Sequence, residues 1–229
     1  MAVDFEQYAQ SRITPFDEEA LRLLFGKLRS NRDSITALEI GSWLGAGSTQ
    51  ILAECADKVV CVDHWQGSDN DEHRDIVRQV DPYEIFQRNI AAYADKVTAV
   101  RCDSSELGAR FEDGAFDLIF IDGDHLYAQT RTDIEVCLPK LRSDGIICGH
   151  SCEGHLNPVN EPYLRAHFGD NHIDSIFRNF KHCHPGVVVA VHELIDGFVL
   201  FADEKFFMEV EREDGVHRGN SSIWFKSFV

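Results

Sequence analysis

Residues Phe116 to Ile121 read FDLIFI, a run that is almost wholly apolar. A strand of that composition is buried on both faces, which requires layers of helix above and below the sheet that holds it. The chain around it has the matching rhythm. Thr36 to Ile40, Lys58 to Val62, Val97 to Arg101 and Gly145 to Cys148 are short β-branched runs. Between them lie helical patterns from about Ser48, over Pro82 to Tyr93 and over Ala128 to Leu141. Strands alternating with helices predict βαβ units and an α/β fold with a mostly parallel sheet. Ahead of them, Asp17 to Leu28 carries Leu21, Leu24, Phe25 and Leu28 on one helical face.

After Cys148 the rhythm changes. Ser151 to Asn171 is polar and rich in Gly, Pro and His, and reads as an insertion or lid over a site. His184-Pro185 opens another helix through Val191. Phe198 to Phe201, Phe206 to Val210 and Ile223 to Phe228 read as extended, and the acidic EREDG turn between the last two predicts a closing antiparallel hairpin. The expected organisation is one domain over 1–229, with an N-terminal helical extension at 1–33 and an insertion at 151–184.

Composition narrows the function. Acidic residues number 39 against 22 basic ones, a formal charge of -17 that repels phosphate backbones and argues against nucleic acid as partner. No apolar run is long enough to span a bilayer, so no membrane partner is expected. The polar, acidic start resembles neither a signal nor a transit peptide, which predicts a cytoplasmic protein. The seven cysteines are scattered without a C-x-x-C pair, arguing against a disulfide framework. Cys61, Cys137 and Cys148 fall in apolar runs, as buried free thiols do.

The most informative segment is Leu38-Glu39-Ile40-Gly41-Ser42-Trp43-Leu44-Gly45-Ala46-Gly47-Ser48. A strand ends at Gly41, the chain turns tightly, and a helix begins at Ser48; glycines there let a ligand approach the main chain closely. The spacing is not G-x-G-x-x-G, and no lysine follows as in a P-loop. Asp63 comes about twenty residues later at the end of the second strand, where an acid can accept from both ribose hydroxyls of an adenosine ligand.

The segment resembles motif I of the class I S-adenosylmethionine-dependent methyltransferases, E/D-x-G-x-x-x-G. EIGSWLGAGS, VDHWQG, FDLIFIDGDHLYAQTRTDIEVCLPKLRSDGIICGH and HPGVVVAV are similar to one subfamily, the small-molecule O-methyltransferases of macrolide and aminocoumarin biosynthesis with the cephalosporin-hydroxylase-like proteins. The resemblance covers about residues 36 to 195. It implies a Rossmann-like class I methyltransferase fold: a mostly parallel seven-stranded sheet with helices on both faces, closing here in the C-terminal antiparallel hairpin. It also implies S-adenosyl-L-methionine as cofactor and a small-molecule acceptor. Glu39, Gly41, Gly45 and Ser48 would shape the pocket for the methionine part. Asp63 would hold the ribose, with His64 and Trp65 beside the adenine, and Asp103 and Ser104 would meet the adenine amino group.

Ile121-Asp122-Gly123-Asp124-His125 lies just past the end of the central strand, where open α/β sheets bind ligands. Methyl transfer to a hydroxyl needs in-line placement and removal of the hydroxyl proton; a divalent cation can lower that proton's pKa and a histidine can accept it. In the resembled subfamily the position of Asp122 is both cofactor-adjacent and a Mg²⁺ ligand, and that of His125 is the general base. The second acidic ligand is expected after the fifth strand, but Gly149-His150-Ser151-Cys152-Glu153 places a serine there. A serine hydroxyl is a poor ligand for a hard cation. Three outcomes stay open: no metal, substitution by Glu153, or a softer divalent metal on His150 and His155. Asp122, His150 and Glu153 are thus the candidate metal ligands.

Two further readings stay open beside O-methylation. A nicotinamide-dependent oxidoreductase would share the architecture, and a cofactor-binding protein without catalysis would account for Ser151. The acceptor is not legible, and the apolar N-terminal helix fits either a partner subunit in a homo-oligomer or the chain's own sheet.

Overall fold

The computed structural model describes residues 6–68, 71–168, 176–178 and 181–229. In chain order the elements are α1 (Pro15–Arg29), β1 (Thr36–Ile40), α2 (Ser48–Cys55), β2 (Lys58–Asp63), α3 (Asp71–Gln79), α4 (Pro82–Asn89), β3 (Val97–Arg101) and α5 (Leu107–Arg110). There follow β4 (Phe116–Ile121), α6 (Tyr127–Cys137), β5 (Leu141–Gly149), α7 (Glu161–Phe168), β6 (Ile176–Arg178) and β7 (Lys181–Cys183). The chain closes with α8 (Pro185–Leu194), β8 (Val199–Leu200), β9 (Met208–Arg212), β10 (Gly215–Gly219) and β11 (Trp224–Ser227).

Seven strands form one sheet in the order β3-β2-β1-β4-β5-β11-β8. The five from β3 to β5 are parallel, and β11 runs antiparallel to both its neighbours. The chain builds outward from β1 to β3 and then crosses back to place β4 on the other side of β1. The strand order therefore reverses between β1 and β4, which opens a crevice at their C-terminal ends.

The FDLIFI strand is buried along its whole length, as its composition demands. Leu118 and Phe120 join the core under α1 and α2, while Phe116, Ile119 and Ile121 join the core under α6 and α8. Helix α1 starts with a capping box in which the Thr14 side chain accepts from the Asp17 N–H and the Asp17 side chain accepts from the Thr14 N–H. Leu21, Leu24, Phe25 and Leu28 then pack against Ala37, Leu118 and Ile146 of the sheet. Of the two seats left open by the sequence, the apolar stripe of α1 takes the one on its own sheet.

The C-terminal antiparallel hairpin forms, but with a different second strand. The EREDG turn joins β9 to β10, pairing Arg212 with Gly215 and Met208 with Gly219 outside the main sheet. The 223–228 run instead returns as β11 to pair with β5, Trp224 lying opposite Gly149. Trp224 is buried and β9 is largely exposed, so the more apolar strand takes the covered position. The insertion holds α7 and a β6–β7 hairpin. The side chains of 168–182, including His172 and His182, lie outside the described residues.

Candidate active site

One cleft runs across the C-terminal ends of β3, β2, β1 and β4, lined in part by Gly41, Asp63, Asp103 and Asp122. Gly41 has φ +86°, and a Cβ there would overlap the carbonyl of Asp122, so only glycine lets the ends of β1 and β4 come this close. Gly45 has φ +70°, and a Cβ there would sit 2.8 Å from the Phe86 ring. Glu39 is fully buried and accepts from Ser48 Oγ at 2.7 Å and Thr49 Oγ1 at 2.6 Å, tying the first turn of α2 to β1. Burial pushes its carboxyl pKa up, against the pull of those hydroxyls. Glu39, Gly45 and Ser48 thus shape the turn from behind, and of the expected motif residues Gly41 faces the cleft.

Asp63 clamps two loops. Its carboxylate accepts from the Trp43 N–H at 2.8 Å and the Trp65 N–H at 2.6 Å. Both tryptophans have positive φ, +42° and +53°, a conformation that bulky residues hold only where surrounding contacts impose it. Trp65 is not beside the cleft as expected. Its ring is buried against Tyr83 and Phe86 at centroid distances of 4.7 and 4.9 Å, and its Nε1 donates to the Trp43 carbonyl. Trp43 is the tryptophan that lines the cleft, stacked at 4.2 Å on His73 of α3. Burial lowers the His73 pKa, which leaves its Nδ1 able to accept from the Ser68 N–H at 3.1 Å.

His64, after β2, and Asp103 and Ser104, after β3, line the cleft. Asp103 also caps the following turn, accepting from the Ser105 hydroxyl at 2.5 Å and its N–H at 3.0 Å, and those bonds hold its carboxyl below the usual range. Two residues that sequence reasoning missed, Gln129 and Asp133 of α6, complete the β3 end. Asp133 is almost wholly buried, and burial raises its pKa to about 6 although Ser104 and Gln129 both donate to it. Their spacing of four along a helix that follows the IDGDH block was the available signal.

At the β4 end, Asp122 and His125 come together, with His125 Nε2 3.6 Å from Asp122 Oδ1. The Asp124 side chain accepts from the Leu126 N–H at 2.8 Å, which fixes the turn that carries His125 into α6. Ser151 follows β5 with φ +61° and is buried; its Oγ lies 3.4 Å from His125 Nε2 and 3.1 Å from His150 Nδ1. The other side of the His150 ring meets Ser222 Oγ at 3.1 Å and Asp17 Oδ2 at 3.3 Å. For His150 burial pulls the pKa down most strongly, but the Asp122 and Asp17 carboxylates outweigh it and the net shift is upward.

A family profile described as "Methyltransferase domain" matches residues 38–152, which is 115 of the 229 residues. The chain belongs to the methyltransferase-domain family. Its fold is that of the class I S-adenosylmethionine-dependent methyltransferases. An O-methyltransferase from Bacillus cereus in complex with SAH has 18% identity and a TM-score of 0.52, over 99% of this chain and 92% of that one. Cofactor-bound Rv0187 from MTB has 18% identity and a TM-score of 0.53, over 98% and 85%. A spermidine synthase from Thermotoga maritima, at 13% identity and a TM-score of 0.50 over 95% and 60%, shares the architecture too. Such identities speak to fold and leave the reaction to be argued from the site. A protein of Sinorhizobium fredii named as uncharacterized, y4gI, is 30% identical over 103 residues, covering 44% of this chain and 11% of that protein. The chain thus spans about a tenth of the length of that curated relative.

The methyltransferase cleft fits an adenosyl cofactor: Gly41 leaves a cradle that a Cβ would fill, and acids stand at the ends of β2 and β3. The candidate metal ligands fit less well. Glu153 turns its carboxylate to His184, with Oε1 2.6 Å from Nδ1 and Oε2 accepting the His184 N–H at 3.0 Å. The nitrogens of His150 face Ser151, Asp122, Ser222 and Asp17. Among the described residues no group of three or more His, Cys, Asp or Glu is arranged to hold a metal ion. The donor set of Asp122, His150 and Glu153 is engaged within the protein. Among the described residues no helix is long and apolar enough to cross a membrane.

Proposed function

We propose that this methyltransferase-domain chain methylates a hydroxyl of a small molecule, using S-adenosyl-L-methionine as donor and His125 as general base. The observation that carries the reading is the placement of His125 Nε2 within 3.6 Å of Asp122 and 3.4 Å of Ser151, at the end of β4 that also walls the cofactor cleft. The bound cofactor supplies a sulfonium-activated methyl group. The residues of the chain then have two tasks, to hold the acceptor in line with that methyl and to remove its proton.

His125 Nε2 takes the acceptor's hydroxyl proton as the new oxygen–carbon bond forms. The Asp122 carboxylate beside it stabilises the resulting imidazolium, and Ser151 offers a hydroxyl that steers the ring. His184 packs against the same ring at 4.3 Å, held in turn by Glu153, so His125 is bounded on two sides. A net charge of -17 supports a small neutral or cationic acceptor over a polyanionic one.

The test is release of S-adenosylhomocysteine from S-adenosyl-L-methionine across a panel of phenols, sugars and hydroxylated polyketides. Wild type should turn over at least one class, and His125→Gln should lose on the order of a hundredfold in kcat while binding S-adenosylhomocysteine normally. Full activity in His125→Gln removes the base from His125. Tight cofactor binding with silence across the whole panel favours a binding protein without catalysis.

A further inference from the structure

Gln129, Asp133 and Ser104 form a closed triangle of hydrogen bonds at the β3 end of the cleft. Gln129 Nε2 donates to Asp133 Oδ1 at 2.8 Å and to Ser104 Oγ at 2.9 Å, and Ser104 Oγ donates to the same Oδ1 at 2.5 Å. An ionised carboxylate can only accept, so Asp133 requires the nitrogen of the Gln129 amide to face it. That turns Gln129 Oε1 away from Asp133 and Ser104, in a side chain that lines the cleft. Asp103, the neighbouring acid, already spends Oδ1 on both the hydroxyl and the N–H of Ser105.

We infer that Gln129 Oε1 accepts from the exocyclic amine of the cofactor's adenine and makes the cleft select a 6-aminopurine over a 6-oxopurine. The inference rests on the cofactor reading above and deepens it. An amine at that position donates to a waiting oxygen. A carbonyl in its place would set two acceptors against each other with no proton between them, and neither could be solvated once the base is seated. The triangle keeps the amide from turning over to present its nitrogen, because that rotation would oppose Oε1 to the Asp133 carboxylate. Sites built to meet a donor reject the analogue that lacks it far more strongly than apolar pockets reject a change of size.

The experiment is calorimetric titration with S-adenosylhomocysteine and with S-inosylhomocysteine, its 6-oxo analogue. Wild type should prefer the amino form by on the order of tenfold or more, and Gln129→Met should bring that ratio close to one. A role for Gln129 in folding alone would lower both affinities in parallel, and an unchanged ratio in Gln129→Met overturns the inference. Asp103→Ala provides a second arm should Gln129→Met not fold. The preference should persist in Asp103→Ala even if both affinities fall, and its collapse there assigns the selection to Asp103 and overturns the role of Gln129. Wild type with equal affinity for both ligands also overturns it, while leaving the cofactor reading intact. Absence of S-adenosylhomocysteine binding in wild type overturns the cofactor reading itself.

Discussion

The imidazole of His150, at the end of the central parallel strands, lies 3.3 Å from the buried carboxylate of Asp17 in the first turn of α1. Asp17 is also the residue that closes the capping box with Thr14, and its Oδ1 accepts from Ser221 Oγ at 2.6 Å. One carboxylate thus joins the N-terminal helix, the connection that leads into β11 and a histidine one residue from Ser151.

Burial alone would raise the Asp17 pKa, yet His150, Ser221 and Thr14 bring it down to about 2. A depressed carboxyl contributes stability above its unfolded value near 3.8 and loses it as pH falls toward 2. His150, shifted upward from 6.5, contributes below that value and loses its share as pH rises through the folded pKa. Asp17→Asn should therefore cost about 3–5 kcal/mol, most between about pH 4 and 6.5, because it takes the nearer of two carboxylates from a buried imidazolium. Urea denaturation at pH 3, 5.5 and 9 checks this, and a cost that does not vary with pH rules out the charged pair.

Asp133 has the opposite sign. Its buried carboxyl is raised to about 6, so ionising it costs the folded state and stability falls as pH rises from 3.8 through 6. The span corresponds to roughly 3 kcal/mol. Asp133→Asn should be close to wild type at pH 4 and more stable than wild type at pH 8, read from thermal melts. Equal melting differences at both pH values would contradict the buried ionisation.

Gly41→Ala should abolish binding of S-adenosylhomocysteine and destabilise the fold by at least about 2 kcal/mol. The position combines φ +86° with overlap of the Asp122 carbonyl, so both strain and collision act there. Gly108→Ala is the control, since a Cβ there meets nothing within 4 Å, and it should be neutral or stabilise by about 0.5 kcal/mol.

Asp63→Ala removes the acceptor for the Trp43 and Trp65 N–H groups as well as the expected ribose partner. Binding of S-adenosylhomocysteine should weaken on the order of a hundredfold or more, and tryptophan fluorescence of the unliganded protein should change as both loops relax. Unaltered affinity by calorimetry would mean that Asp63 serves the loops only.

Leu21→Ala should cost about 2–5 kcal/mol in urea denaturation, the price of a cavity between α1 and the sheet. A cost under about 1 kcal/mol would be at odds with its complete burial in that core.

Much of this protein was legible in the sequence because local chemistry decides it. A run such as FDLIFI must be covered on both faces, strands that alternate with helices pair in parallel, and a turn that needs positive φ at Gly41, Gly45 and Gly47 displays its glycines in the chain. Asp63 and the Asp122–His125 pair stand out as candidates for the same reason, since each lies at or just past the end of a recognisable strand. What depends on contacts between distant segments was not legible. Trp43 and Trp65 are both aromatic and both in loops, and only the crowding of Tyr83 and Phe86 sends Trp65 inward and leaves Trp43 at the cleft. Glu153 looked like a metal ligand until the fold set it against His184, 31 residues on. The partner of β9 was decided by burial of Trp224, which took the covered edge of β5 and left β9 to pair with β10. Sequence alone fixed each residue's chemistry and each strand's end; which polar group met which was decided by tertiary packing, because a hydrogen bond satisfied across the fold leaves no periodic trace along the chain.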